Sequence, residues 1–130
     1  MDNNTLLLRQ VHPSWVVGDI ISQQVFSSQT FRPTPKDEGL LSVYNGTHFD
    51  GNSAYDHFTN EQHLQSAGVV AISVEECCGV SVPIIEDNEP FVGHCSIDYR
   101  NLSGNSVKKT ATVLKNFAQS RGWLYKEDAV

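Results

Sequence analysis

Positive charge is scarce in this chain. Nine Lys and Arg stand against fifteen Asp and Glu over 130 residues, for a formal net charge of −6. Such a balance disfavours general binding to nucleic acid or to anionic membranes. Long apolar runs are missing too: no stretch approaches the ~18 apolar residues that span a bilayer. The opening residues, MDNNTLLLRQVHP, place no basic region ahead of the short Leu6–Leu8 run, which argues against a secretory signal. Cysteine is limited to three residues, which cannot all pair within one chain, and a bridge between the vicinal Cys77 and Cys78 would be strained. Three reduced thiols in a cytoplasmic protein are therefore expected. On that expectation the Asn-x-Ser/Thr triplets at Asn3, Asn45 and Asn101 carry no sugar. Motifs of strong specificity are absent as well: there is no G-x-S-x-G, P-loop, G-x-G-x-x-G or C-x-x-C.

The residues that are present suit a folded chain. Hydrophobic residues make up 39% and charged residues 18%, a globular composition. The length allows one domain with a real core. The stretch Ala67–Arg100 holds the longest β-type runs, all three cysteines and His94, the best candidate for a buried histidine. Two strands are read there, Val69–Val74 and His94–Tyr99. The second alternates Cys95, Ile97 and Tyr99 against His94, Ser96 and Asp98. A short helical turn over Val74–Cys78, capped by Ser73 and closed by Gly79, and an extended acidic segment between Pro83 and Pro90 join them.

Around this stretch, residues 1–4 fray and Thr5–Val11 forms a strand. Trp15–Val17 and Ile20–Ile21 flank a Gly-Asp turn, and Val25 and Phe26 extend a short strand. Gln29–Gly39 is a loop stiffened by Pro33 and Pro35. Leu40–Tyr44 is a strand, followed by a turn at Asn45-Gly46, where both residues tolerate positive φ. A helix starts at Ser53, with Asp56 completing a capping box and Tyr55 and Phe58 on one face, and frays by Gln65. The clearest helix runs from a Ser103 or Ser106 cap to Gly122. Val107, Ala111, Leu114 and Ala118 form its apolar stripe, which Val113 and Phe117 widen. Trp123–Tyr125 then resumes a strand-like path. The expected fold is α+β: a single domain over residues 1–130, with a mixed or mostly antiparallel sheet of about five strands and two main helices.

Functional candidates are weaker. Cys77, Cys78, His94 and Cys95 would converge if the two strands of the central stretch paired, but adjacent cysteines suit tetrahedral zinc poorly. No metal or cofactor is expected. Cys95 alternates onto the apolar face and reads as an inert core thiol. Trp15, Trp123 and Tyr125 read as core or dimer-interface residues. The loop Arg32–Asp37 places Arg32 and Lys36 beside two prolines, which lowers the entropy lost on holding an anion. His12, before Pro13 at a strand end, is placed to face it.

Six blocks together carry a family likeness: RQVHPSW, TFRPTPKDEGLLSVYNG, YDHFTN, GVVAISVEEC, EPFVGHCSIDY and RGWLY. They resemble a family of small uncharacterised bacterial proteins carried on mobile elements or integron-type gene cassettes. The resemblance spans nearly the whole chain and implies no activity. The order of elements is also loosely similar to ADP-ribosyltransferase-like and RES-type toxin domains. That likeness matches Arg9 or His12, the Arg32–Asp37 loop and Tyr44, but no glutamate stands on a late strand as the acid. The expectation is therefore a non-enzymatic binding or accessory protein, with a homodimer and a small anionic ligand or protein partner in view. A nucleotide-processing domain is the alternative. Arg9, His12, Arg32, Lys36 and Tyr44 are the candidate ligand residues.

Overall fold

The computed structural model describes residues 1–17 and 25–126. The expected Ile20–Ile21 segment lies outside the described residues. Among the described residues eight strands and three α-helices succeed one another: β1 (Leu6–Val11), β2 (Val16–Val17), β3 (Val25–Phe26), β4 (Leu40–Asn45), α1 (Gly51–Asp56), β5 (Gly68–Ser73), α2 (Val74–Gly79), β6 (Ile84–Ile85), β7 (His94–Asp98), α3 (Gly104–Arg121) and β8 (Tyr125–Lys126). Six of the strands form one sheet in the order β6-β7-β4-β1-β5-β8, and β2 pairs with β3 apart from it. Every pairing among the described residues is antiparallel. The fold is the expected α+β class, with one strand more in the main sheet than expected.

The sheet's centre differs from the expected one. β5 and β7, the two strands of the Ala67–Arg100 stretch, do not touch; β4 and β1 lie between them. An apolar run identified the first strand and alternation the second, but neither pattern carries information on which strands pair. The thiols and His94 consequently do not converge, and no group of three His, Cys, Asp or Glu forms a metal-like cluster among the described residues.

The two inner strands share only a short ladder. β1 pairs with β5 along its full length and β4 pairs with β7 over five residues, but β1 meets β4 only at Leu7–Asn45 and Leu8–Tyr44. Gly46 N–H extends the contact at that end, bonding Leu6 O at 2.7 Å. A side chain at Gly46 would meet that carbonyl, with a Cβ 2.5 Å from Leu6 O. Neither Asn45 nor Gly46 has positive φ; glycine is needed for this close approach, and the Asn45 side chain makes the turn by accepting from Thr47 N. Toward Arg9 and Leu40 the strands part, so the sheet divides into two three-stranded halves.

Each face has its own core. On one face Leu7, Val11, Leu41, Val43, Val70, Ile72, Cys95, Ile97 and Tyr99 pack against Phe26, Phe31 and the α3 residues Ala111, Leu114 and Ala118. A 3-10 turn at Ser28–Phe31, inside the segment expected to be loop, covers the division, and Tyr99 donates from its hydroxyl to Phe31 O. On the other face Leu8, Tyr44, Val69 and Ala71 meet Ala54, Tyr55 and Phe58. Trp123 joins the first core, edge-on to Phe26 at 5.4 Å, and Tyr125 stacks on Tyr55 at 4.3 Å, so both aromatics serve packing.

Helix ends differ from expectation for local reasons. Asp50, not Ser53, caps α1; it accepts from Ser53 N at 2.8 Å while Ser53 Oγ accepts from Asp50 N, so Ser53 is the third helical residue of a reciprocal box. The helix then widens into a π-helical turn at His57–Glu61. Ser73 caps α2 with Glu76 as its reciprocal partner, and the C-cap is Val80, not Gly79. Ser103 caps α3 by position and Gly122 ends it at φ 90°. Val113 and Phe117 do not widen the α3 stripe: they are 38% and 41% exposed, and Thr110 is buried in their stead.

This packing makes two outcomes testable. Leu114→Ala should lower stability by about 2–5 kcal/mol through a cavity, whereas Phe117→Ala should stay within about 0.5 kcal/mol, as compared in urea melts. The second concerns Glu76, which accepts from Arg121 at 2.9 and 3.1 Å and from Ser73 N at 2.8 Å. Burial raises its pKa, but these bonds outweigh burial and hold it below the usual value of 4.5. A carboxyl depressed in the folded state contributes stability above its unfolded pKa and loses it as pH falls through the folded value. The wild-type advantage over Glu76→Gln should therefore be full at neutral pH and shrink below about pH 4, measured by denaturation at each pH.

Candidate functional site

A cleft of about 200 Å³ opens where β1 and β4 part. Arg9, Gln10, Ser42, Val43, Tyr44 and His94 form its sheet side. Phe58, Gln62 and Leu64, from the π-helical turn and the residues after it, form one wall; Pro90 and Phe91, from the loop before β7, form the other. Both walls include non-glycine residues in the left-handed region, His63 at φ 56° and Asn88 at φ 52°. Asn88 holds its loop by accepting from Gly93 N at 2.9 Å and donating its own N–H to His94 O.

Arg9 takes the place of the missing ladder. Its Nε donates to Thr30 O at 2.8 Å and its Nη1 to Ser42 O at 3.0 Å. The guanidinium also lies 5.7 Å from the Trp15 ring centre. Among the described residues no carboxylate reaches ion-pair distance of it. Burial draws its pKa down to about 10, only partly opposed by the more distant Asp37.

On β7, His94 is 8% exposed yet lines the cleft. Its Nδ1 lies 2.6 Å from Asp87 Oδ1, and Ser96 Oγ donates to Asp87 Oδ2 at 2.9 Å. Burial raises the Asp87 pKa, but the bonds from His94 and Ser96 hold it below the ordinary value. Asp87 is therefore an ionised acceptor, and Nδ1 is the protonated nitrogen of the ring. Across the ladder from His94 stands Tyr44. Its hydroxyl shares a hydrogen bond of 2.8 Å with His57 Nδ1, and burial, reinforced by Glu61, pushes its pKa up, so the phenol keeps its proton. Tyr44, Phe49, His57 and Phe91 form a cluster of mutual ring contacts beside the cleft.

Of the five residues singled out in the sequence, Arg9 and Tyr44 meet in this cleft; His12, Arg32 and Lys36 do not line it. His12 caps the 3-10 turn at Pro13–Trp15, accepting from Ser14 N at 3.1 Å, and packs on Trp15. Lys36 is exposed in a 3-10 turn at Pro35–Asp37, where Asp37 accepts from Thr34 N at 2.7 Å. The acidic segment is more than a solvated loop, since its Asp87 turns inward to His94. Alternation pointed to a buried His94, but no local signal marks a partner seven residues away. A second, wider groove of about 650 Å³ lies between α2 and α3, lined by Val80, Val113 and Phe117 with Glu76 and Arg121 alongside.

No family model matches the chain, and no curated protein or solved structure matches it.

The thiols lie away from the cleft chemistry. Cys77 and Cys95 are buried in the first core and Cys78 is exposed. Burial pushes Cys77 up to about 12 and Cys95 to about 11, which suppresses thiolate at neutral pH. A thiol-reagent titration should count one reactive cysteine per native chain and all three after unfolding. Rapid labelling of Cys95 in the native protein would contradict its place in the core.

Proposed function

We propose that the protein binds a small organic anion, one ring in size, in the cleft where the sheet divides. The observation that carries this reading is Arg9, a partly buried guanidinium at the cleft with no carboxylate at ion-pair distance among the described residues. An unpaired charge in such a setting is unfavourable. A bound carboxylate would offset that cost by accepting charge-assisted bonds from the remaining guanidinium N–H groups. Size supports the same guest: about 150 Å³ suffices for benzene, and the cleft offers about 200 Å³. Phe58, Leu64, Pro90 and Phe91 supply apolar walls for the ring, the mixture of apolar surface and few polar groups that small-molecule sites use.

This reading keeps the expectation of a binding protein and gives it a ligand class. The ADP-ribosyltransferase-like alternative asks for Arg9, Tyr44 and a glutamate in one cleft. The first two are there, but among the described residues no glutamate lines it.

Benzoate is the test ligand. It should raise the melting temperature increasingly with concentration, as any ligand of the folded state does. Benzyl alcohol, of similar shape but neutral, should raise it far less. Arg9→Met should remove the benzoate effect and Arg9→Lys should keep part of it. Equal responses to benzoate and benzyl alcohol, or none to either, would refute the assignment.

A further inference from the structure

Binding alone leaves the Asp87–His94 pair without a task, although His94 faces the same cleft. Building on the anion-binding reading, we propose that the cleft hydrolyses a small carboxylic ester, with His94 as the general base, and that the carboxylate held by Arg9 is the product. The polar groups around the cleft lead to this by elimination. Gln10 is engaged at both ends, donating to Ala54 O at 3.0 Å and accepting from Ser66 Oγ at 2.6 Å. The Tyr44 hydroxyl is tied to His57. Ser96 donates to Asp87 and Cys95 lies in the core on the opposite face, so neither serves as a nucleophile. Ser42 lines the cleft two register positions from the Tyr44–His94 pair, without a hydrogen bond between its hydroxyl and the imidazole. A base and a cation remain. With Nδ1 donating to Asp87, Nε2 is the ring nitrogen of His94 left to accept a proton.

Water is the nucleophile. His94 Nε2 takes a proton from it as the water oxygen bonds to the ester carbonyl carbon. The carbonyl π-electrons move onto oxygen, and the oxyanion settles against the Arg9 guanidinium. Collapse re-forms the carbonyl and breaks the C–O bond to the alcohol, whose oxygen recovers the proton from the imidazolium. Ester and water become acid and alcohol, with nothing further consumed. Asp87 is a positioning residue: it fixes the ring's tautomer and angle, and Ser96 fixes Asp87 in turn.

Methyl benzoate tests the proposal, with benzoate release measured by chromatography. The wild type should turn over, and benzoate should inhibit competitively with a Ki equal to its Kd from the thermal shift. His94→Gln should lose ~100-fold or more in kcat while still being stabilised by benzoate. Asp87→Asn should lower kcat with little change in KM. Turnover that benzoate does not inhibit, or that survives undiminished in a His94→Gln protein that still binds benzoate, would overturn the proposal. So would a wild type that binds benzoate but hydrolyses the ester no faster than free imidazole, and that result would leave the binding assignment standing. Failure of benzoate to bind at all would remove both.

Discussion

Where β1 and β4 part, carbonyls that a longer ladder would have satisfied fall to a side chain. Arg9 reaches Ser42 O on β4 and Thr30 O on the 3-10 turn beneath, tying the two halves of the sheet and the segment covering their division. Two ladder pairings, the Gly46–Leu6 bond and one guanidinium thus connect three strands to three. Polar backbone groups must find partners, and here an ionised donor serves Ser42 O in place of a neutral ladder bond and Thr30 O beside it. The same substitution leaves a space between the strands and a positive charge at its edge. The architecture of the sheet and the chemistry of the cleft have one origin.

Around that point the second face carries a row of polar residues rarely found in a sheet interior. Gln10, His94, Ser96 and Asp98 on its strands are all buried, as is Ser66 beside Gln10. Gln10 bridges α1 and the turn before β5, while Asp87 collects His94 and Ser96. Networks satisfied in this way fix side-chain direction more firmly than apolar packing does. Fixed direction is needed in a site that holds a ring and a proton acceptor in register.

Much of the fold was legible in the sequence, and the limits of legibility have physical causes. Short apolar runs located β1, β4 and β5, period-two alternation located β7, and a period near 3.6 located α3, because burial imposes those patterns. Val113 and Phe117 broke the reading of α3: apolar character alone does not say how wide the covered stripe is, and here the cover extends over Thr110 instead. Asp50 and Ser53 could each cap α1, and only the reciprocal bond decides between them. Strand order was not legible, since pairing joins residues far apart in sequence. The site suffered for the same reason. Arg9 reads as a charged residue interrupting a strand until the division of the sheet is known. Asp87 sits in a segment whose acidity suggests solvent. Arg32 and Lys36 attracted notice through stiffness and charge, properties that say nothing of where a loop lies.

The π-helical turn at His57–Glu61 gives one wall of the cleft an unusual relation to mutation. A π turn is an α-helix with one residue too many. Loss of a single in-frame codon there would restore α geometry and rotate the residues beyond the turn by about 100°. Gln62 and Leu64 would swing with it, while the sheet, Arg9 and the Asp87–His94 pair lie on other elements. The guest accepted by the cleft can therefore be revised by a deletion, in one genetic event, with the core sequence untouched.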